Sequence, residues 1–142
     1  KKKPQDMHVM ERTMNRILGI DFGEKFVGLA ISDPSQKYSL PLEVIDTSVV
    51  FPHVRKLISY EAISTIVIGL AITPSGHESE VTKRARRLGN RLITLGVKIV
   101  FENEELTTFA AKKSQQGIPN AKFDDHLAAS LILQQYLNRN IE

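Results

Sequence analysis

The alternation of apolar and polar positions divides the chain into strands and helices. Short runs rich in Ile, Leu and Val predict five strands, at 16–20, 26–32, 40–45, 64–70 and 97–102. Apolar residues at steps of three and four predict one helix from Val50 and a longer one that opens at 76–78 and ends at Gly96. Two more helices are expected, one from Thr107 or Thr108 to 117–119 and a last one at 125–138.

The order of these elements predicts the fold class. The link 21–25 between the first two strands suits a tight antiparallel hairpin, and after the third strand helices and strands alternate. This order favours an α/β fold with a mixed central sheet covered by helices. The length of 142 residues suits one core. We therefore expect one domain at 16–142, preceded by a flexible basic arm at 1–15.

Composition and charge narrow the functional classes only slightly. No apolar run reaches the roughly 18 residues of a membrane span, so we expect no membrane partner. The chain has no cysteine, which excludes disulfides and thiolate metal sites and agrees with a cytoplasmic location. The net charge of +3 makes an anionic partner plausible, although its distribution is more informative than its size.

One acidic residue interrupts the first apolar run. In the segment RILGIDFG, Asp21 stands between Gly19 and Gly23. A turn aspartate that binds backbone amides explains this stretch slightly better than catalysis does. However, a carboxylate at the end of a buried strand is unfavourable without a partner, and a metal ion is one such partner. Ligands also bind at strand ends in α/β sheets.

Acidic residues recur at two other element ends, at 102–105 after the fifth strand and at 124–125 before the last helix. Ordinary explanations exist for both groups. A solvated strand exit is favoured for Glu102 and Glu105, and helix capping is favoured for the two aspartates. Taken together with Asp21, one acid from each group could converge at one edge of the sheet. Such a set could hold two Mg²⁺ or Mn²⁺ ions through oxygen and support phosphodiester hydrolysis.

The ordered motifs resemble those of the YqgF/RuvX family, in the segments RILGIDFGEKFVGLAISDP, PLEVI, TIVIGL, ENEELTT and DDHLAASLILQQYL. Members of that family have a ribonuclease-H-like fold and are described as Holliday-junction resolvases or pre-16S rRNA nucleases. The resemblance covers residues 16–137. It implies that Asp21 is the first catalytic aspartate, Glu104 the glutamate of the Asp-Glu-Arg-Leu-Thr-Thr motif, and Asp125 the start of the Asp-x-x-Ala-Ala motif.

This chain departs from the family pattern at three places. Asn103 and Glu105 stand where the family has Asp and Arg, so one acid and one phosphate-directed cation are missing. Ala71 replaces the proline that usually follows Gly-Leu, and the segment between Thr108 and Asp125 is shorter than usual. The three implied metal ligands remain, but a weaker activity or a changed substrate stays open.

Basic residues decorate the polar side of the helix expected at 81–95. Such a run is usually a solvated face. Arg84, Arg87 and Arg91 nevertheless share one stripe, which is a candidate for sequence-independent contact with a phosphate backbone. Few aromatic residues are interleaved with them, so base stacking is not indicated. Thr107 and Thr108 are further candidates, for orienting Glu104 or contacting phosphate.

The leading hypothesis is a Mg²⁺-dependent nuclease that acts on structured RNA at the 5′ end of pre-16S rRNA. Resolution of branched, four-way DNA would use the same chemistry but favours a symmetric dimer, and both monomer and homodimer stay open. A non-catalytic nucleic-acid-binding factor is a third hypothesis, supported by Asn103 and Glu105. A sugar-kinase or actin-like ATPase needs two related lobes, and this chain has room for one.

Overall fold

The computed structural model describes residues 16–103 and 121–139, with the backbone alone for 121–126. These residues form a five-stranded mixed sheet with helices on both faces, which confirms the predicted α/β class. The strands are β1 (Arg16–Phe22), β2 (Phe26–Ser32), β3 (Ser39–Asp46), β4 (Ile63–Leu70) and β5 (Lys98–Asn103). The helices are α1 (Val50–Tyr60), which follows a 3₁₀ turn at Thr47–Val49, α2 (Glu80–Ile93) and α3 (Ala121–Arg139).

The sheet has the strand order β3-β2-β1-β4-β5, so β1 lies at its centre. The first three strands are antiparallel neighbours, and β4 and β5 run parallel to β1. Ile20 is level with Ile68 on β4, and Gly69 is level with Glu102 on β5. The carboxyl ends of β1, β4 and β5 therefore meet at one edge, which is where ligands bind in open α/β sheets.

One face of the sheet packs against α1 and α2 through large aliphatic side chains. Successive strand residues point to opposite faces, and both helices present an apolar stripe to the sheet. The fully buried members of this core include Leu18, Ile20, Leu29, Val54, Ile66, Ile68 and Leu92. Helix α2 begins after Ser79, whose side chain accepts a hydrogen bond from the Thr82 amide, and so starts slightly later than expected.

The opposite face packs against α3, and several of the strand residues there are smaller, namely Gly19, Ala30 and Val67. Its core contains Ile17, Ala30, Val67, Ala129, Ile132, Leu133 and Leu137. A Cβ atom at Gly19 would lie 2.8 Å from Leu133 Cβ and 3.1 Å from the Ala129 carbonyl oxygen. Glycine is therefore required at residue 19 for α3 to approach β1 this closely.

Two expectations for the last helix are wrong. The helix begins at Ala121 instead of residue 125, because Ala and Lys are good helix formers and extend it toward the amino end. Asp124 and Asp125 therefore lie inside α3 and do not cap it. Leu127 and Leu131 of this helix are 38% and 51% exposed, because the sheet covers only a narrow stripe of the helix.

Two structural predictions fall outside the described residues. These are the flexible arm at 1–15 and the helix expected at 107–119, so the single-domain assignment for 16–142 stays a prediction. Among the residues that the structure describes, no helix is long and apolar enough to cross a membrane.

Candidate functional site

Asp21 is a strand residue near the carboxyl end of β1. The expectation that the strand ends at Ile20 is wrong, since β1 continues through Phe22 and Asp21 pairs with Gly28 on β2. Asp21 is 9% exposed. By strand alternation it shares the α3 face with Gly19, whereas Phe22 packs with the core on the α1 and α2 face. The strand end thus presents a carboxylate on one face and an aromatic ring on the other.

The hairpin after Asp21 is held tightly. A Cβ atom at Gly23 would lie 2.4 Å from the Phe26 carbonyl oxygen, so the turn requires glycine there. Thr47 is buried, and its hydroxyl donates to the Gly23 carbonyl at 2.9 Å. The Thr47 amide donates to the Lys25 carbonyl, also at 2.9 Å. These contacts fix the chain that follows Asp21 against the start of the 3₁₀ turn.

The structure gives only partial information on the other two predicted metal ligands. Glu104 follows β5 directly and is outside the described residues, as are Thr107 and Thr108. Asp125 lies within α3, one helical turn before Ala129, and its side chain is also outside the description. Within the described part of the chain, no three His, Cys, Asp or Glu residues form a group able to hold a metal. The convergence of the three acids therefore stays a prediction.

Glu102 corrects one interpretation of the acidic segment after β5. We expected a solvated strand exit, but Glu102 is 1% exposed. The alternation along β5 directs it toward α3, where its Oε2 accepts hydrogen bonds from Gln135 Nε2 at 2.5 Å and Arg139 Nη1 at 2.7 Å. Its Oε1 has no hydrogen-bond partner among the described residues. Glu102 thus ties the end of β5 to the last turns of α3.

The arginine stripe on α2 lines a pocket at the end of β1. The pocket has a volume of about 260 Å³ and is formed by Phe22, Thr47, Val50, Arg84, Arg87, Leu88 and Arg91. The guanidinium of Arg84 lies 5.6 Å from the centroid of the Phe22 ring, and that of Arg91 lies 3.9 Å from the Phe51 ring. Few aromatic residues are interleaved with these arginines in the sequence, but the fold brings two rings beside them. The rings come from β1 and α1, which are distant in sequence.

The remaining cations of α2 have acidic partners. Arg86 donates to both carboxylate oxygens of Glu78, with its Nε 3.0 Å from Oε1. The hydrogen bonds from Arg86 lower the pKa of the Glu78 carboxyl. Lys83 lies 3.8 Å from Glu80. In contrast, no acidic side chain among the described residues lies within ion-pair distance of the pocket arginines. The described lining of the pocket is therefore positively charged, which suits an anionic ligand.

Comparison with solved structures concerns the fold. The chain is similar to RuvC of Thermus thermophilus in complex with a Holliday junction substrate, with a TM-score of 0.55. The two sequences are 15% identical, and the match covers 88% of this chain and 94% of that one. A second RuvC structure from the same organism gives a TM-score of 0.53. This likeness supports the predicted ribonuclease-H-like architecture.

Comparison with sequences identifies the family. A curated relative from Sulfurihydrogenibium sp. (strain YO3AOP1), named "Putative pre-16S rRNA nuclease", is 38% identical over 133 residues, which is 89% of this chain and 92% of the relative. A relative of the same name from Dictyoglomus turgidum is 36% identical, and the match covers 87% of this chain and 94% of the relative. A family model described as "RuvX: Holliday junction resolvase" matches residues 15–139. The chain therefore belongs to the RuvX family, as its ordered motifs predicted.

Proposed function

We propose that this chain is a divalent-metal-dependent nuclease that hydrolyses phosphodiester bonds in structured nucleic acid. We propose further that it processes the 5′ end of pre-16S rRNA during ribosome biogenesis in the cytoplasm. The observation that carries the proposal is the buried Asp21 at the ligand-binding edge of the sheet, beside a pocket with three arginines that have no described acidic partner. The names of the relatives supply the substrate class.

In this proposal Asp21, Glu104 and Asp125 are the catalytic residues and hold two Mg²⁺ or Mn²⁺ ions. The donor set fits, because all three side chains offer the carboxylate oxygens that these hard cations prefer. When bound, such ions lower the pKa of water and stabilise negative charge on the phosphodiester oxygens. The contribution of the chain is placement. Asp21 is held on a central strand between β2 and β4, and the Gly23 turn keeps the backbone beyond it in place.

Contact with the substrate backbone is assigned to Arg84, Arg87 and Arg91. Guanidinium groups pair with phosphate oxygens in a geometry that does not depend on the base sequence. The stripe lies on the opposite face of β1 from Asp21, so a bound strand would pass over the end of β1. Thr107 and Thr108 are proposed to orient Glu104 or to contact phosphate.

The direct test is cutting of a substrate panel with and without metal. The panel contains a precursor of the 16S rRNA 5′ end, single-stranded RNA, duplex RNA and a four-way DNA junction. We expect Mg²⁺ or Mn²⁺ to permit cutting of the precursor and chelation with EDTA to abolish it. Asp21→Asn is expected to stay folded and lose cutting. Glu24→Gln removes the same charge from an exposed residue of the same hairpin and should cut normally.

Three outcomes would count against this proposal. Normal cutting by Asp21→Asn would remove Asp21 from the site. Binding without cutting under every divalent ion would favour the non-catalytic factor, to which Asn103 and Glu105 give sequence support. Paired cuts in the four-way junction, together with a dimer in sedimentation, would favour a resolvase, as the description of the family model suggests.

A further inference from the structure

The pocket beside Phe22 has two chemically different surfaces. The exposed guanidinium groups of its three arginines suit a phosphate. The rest of the lining includes Phe22, Val50 and Leu88, whose apolar atoms add nothing to phosphate binding. A ligand that uses the whole pocket must therefore join an anion to an apolar, preferably flat group.

Size and shape narrow the class of ligand. The volume of about 260 Å³ lies just below the ~300–1,000 Å³ typical of pockets for drug-sized molecules. The pocket therefore suits a single small molecule or one residue of a polymer, and not several consecutive residues of a polymer. The Arg84 guanidinium over the Phe22 ring also presents a flat surface, and guanidinium planes and aromatic rings are the groups on which proteins stack nucleic-acid bases.

The pocket is also close to Asp21 along the chain. Phe22 is the next residue after Asp21, about 3.8 Å away between Cα atoms. Thr47 lines the pocket and also donates to the Gly23 carbonyl, so one residue links the pocket to the turn beyond Asp21. A unit held in the pocket therefore lies directly across the strand end from the proposed catalytic aspartate.

We propose that this pocket binds one unpaired nucleotide of the substrate strand, adjacent to the bond that is cut. Its phosphate contacts Arg84, Arg87 and Arg91, and its base packs against Phe22 and Leu88. The base must be unstacked to reach these side chains, so the cut lies beside a single-stranded nucleotide. The position next to a cut bond rests on the proposed function, whereas nucleotide binding by the pocket is independent of it.

The test compares two small ligands in the absence of metal. Inorganic phosphate and a nucleoside 5′-monophosphate are titrated into the full chain in EDTA, with NMR detection of the Phe22 ring. We expect the nucleotide to bind at least tenfold more tightly than phosphate and to shift the ring resonances. Arg87→Gln should weaken both ligands, whereas Phe22→Leu should weaken the nucleotide alone, because leucine fills space but offers no ring.

Arg16→Gln is the matched control. It removes the same guanidinium charge from the opposite end of β1, where Arg16 pairs with Glu61 at 3.1 Å. It should leave both affinities within twofold of wild type. Equal affinity for the two ligands would overturn the proposal, and so would an equal loss in Arg16→Gln and Arg87→Gln. If Phe22→Leu fails to fold, unshifted Phe22 ring resonances in the wild type would overturn it as well.

Failure of this inference can be told apart from failure of the proposed function. Nucleotide binding in a chain that cuts no substrate would refute the nuclease and keep the pocket. Cutting of RNA by a chain that does not prefer nucleotide over phosphate would refute the pocket and keep the nuclease.

Discussion

The two faces of the sheet differ in the size of the strand residues that contact the helices. Against α1 and α2, the contacts are large aliphatic side chains that exclude water, such as Leu18 and Ile68. Against α3, small residues bring backbone close to backbone, with Gly19 of β1 under Ala129. The first arrangement maximises buried apolar area, whereas the second restricts the separation of helix and strand. We infer that packing on the first face mainly stabilises the fold. Packing on the second face mainly fixes the position of α3 relative to β1.

Directional hydrogen bonds reinforce the difference. On the α3 side, Ser39 donates from its amide to Gln134 Oε1 at 2.9 Å and from its hydroxyl to the Ser130 carbonyl at 2.6 Å. On β5, the outermost strand on the other side of the sheet, Glu102 accepts hydrogen bonds from Gln135 and Arg139. Hydrogen bonds at both edges fix the rotation of α3, the helix that carries Asp125. A substitution on the α1 and α2 face should therefore mainly lower stability, whereas one on the α3 face should lower cutting more than its effect on stability explains.

The largest effect on stability is expected for Leu18→Ala. This change removes a fully buried side chain from the α1 and α2 face, so the free energy of unfolding should fall by ~2–5 kcal/mol. Urea denaturation measures it. Cutting per folded molecule should stay close to wild type. Leu40→Ala removes an exposed leucine from β3 and is expected to change stability by less than ~0.5 kcal/mol.

Gly19→Ala tests the other face of the same strand. The added methyl group must push α3 away from β1, which should destabilise the fold by ~1–3 kcal/mol. Because α3 carries Asp125, cutting per folded molecule should fall more than it does in Leu18→Ala, although less stability is lost. Equal activity of the two variants per folded molecule would remove the distinction between the faces.

A smaller effect is expected for Glu102→Gln. The change keeps the size of the side chain but removes its charge, so the hydrogen bonds from Gln135 and Arg139 weaken and stability falls by ~1–2 kcal/mol. The Mg²⁺ concentration needed for half-maximal cutting should rise, because β5 leads into Glu104. Glu80→Gln changes an exposed glutamate and serves as the control. A loss of stability with an unchanged Mg²⁺ requirement would make Glu102 purely structural.

The smallest effect concerns the turn between β2 and β3. Burial alone would raise the pKa of Asp33, but hydrogen bonds from the Ser35 hydroxyl and the amides of Tyr38, Lys37 and Ser35 lower it to about 2. The ordinary value is 3.8, so this stabilisation is complete above about pH 4 and is lost as the pH falls to about 2. Asp33→Asn should lose part of this acid dependence, at most ~1 kcal/mol. Unfolding curves between pH 2 and pH 5 measure it.

That turn also touches α3, since Gln134 donates to the Lys37 carbonyl at 3.0 Å. If the turn only supports β3, Asp33→Asn should leave cutting at neutral pH unchanged. A drop in cutting equal to that of Gly19→Ala would show that the geometry of α3 depends on the turn as much as on the close approach at β1.

Local patterns could predict the strands and most of the helices, because alternation and helical spacing are properties of neighbouring residues. Asp21 could be found as well, since it interrupts an apolar run within a family motif. The burial of Glu102 could have been predicted by continuing the alternation of Val100 along β5. The rings beside the arginines could not, because Phe22 and Phe51 reach α2 only through tertiary packing. The exposure of Leu131 depends likewise on how α3 sits over Gly19.

One peptide bond joins Asp21 of the proposed site to Phe22 of the proposed pocket, in a strand with neighbours on both sides. Covalent geometry therefore sets the spacing between them, and no loop motion can stretch it. Such an arrangement is a molecular ruler. A substrate strand bound on one side of β1 would be cut a constant number of nucleotides away. The products would therefore have uniform ends at any temperature at which the sheet stays folded.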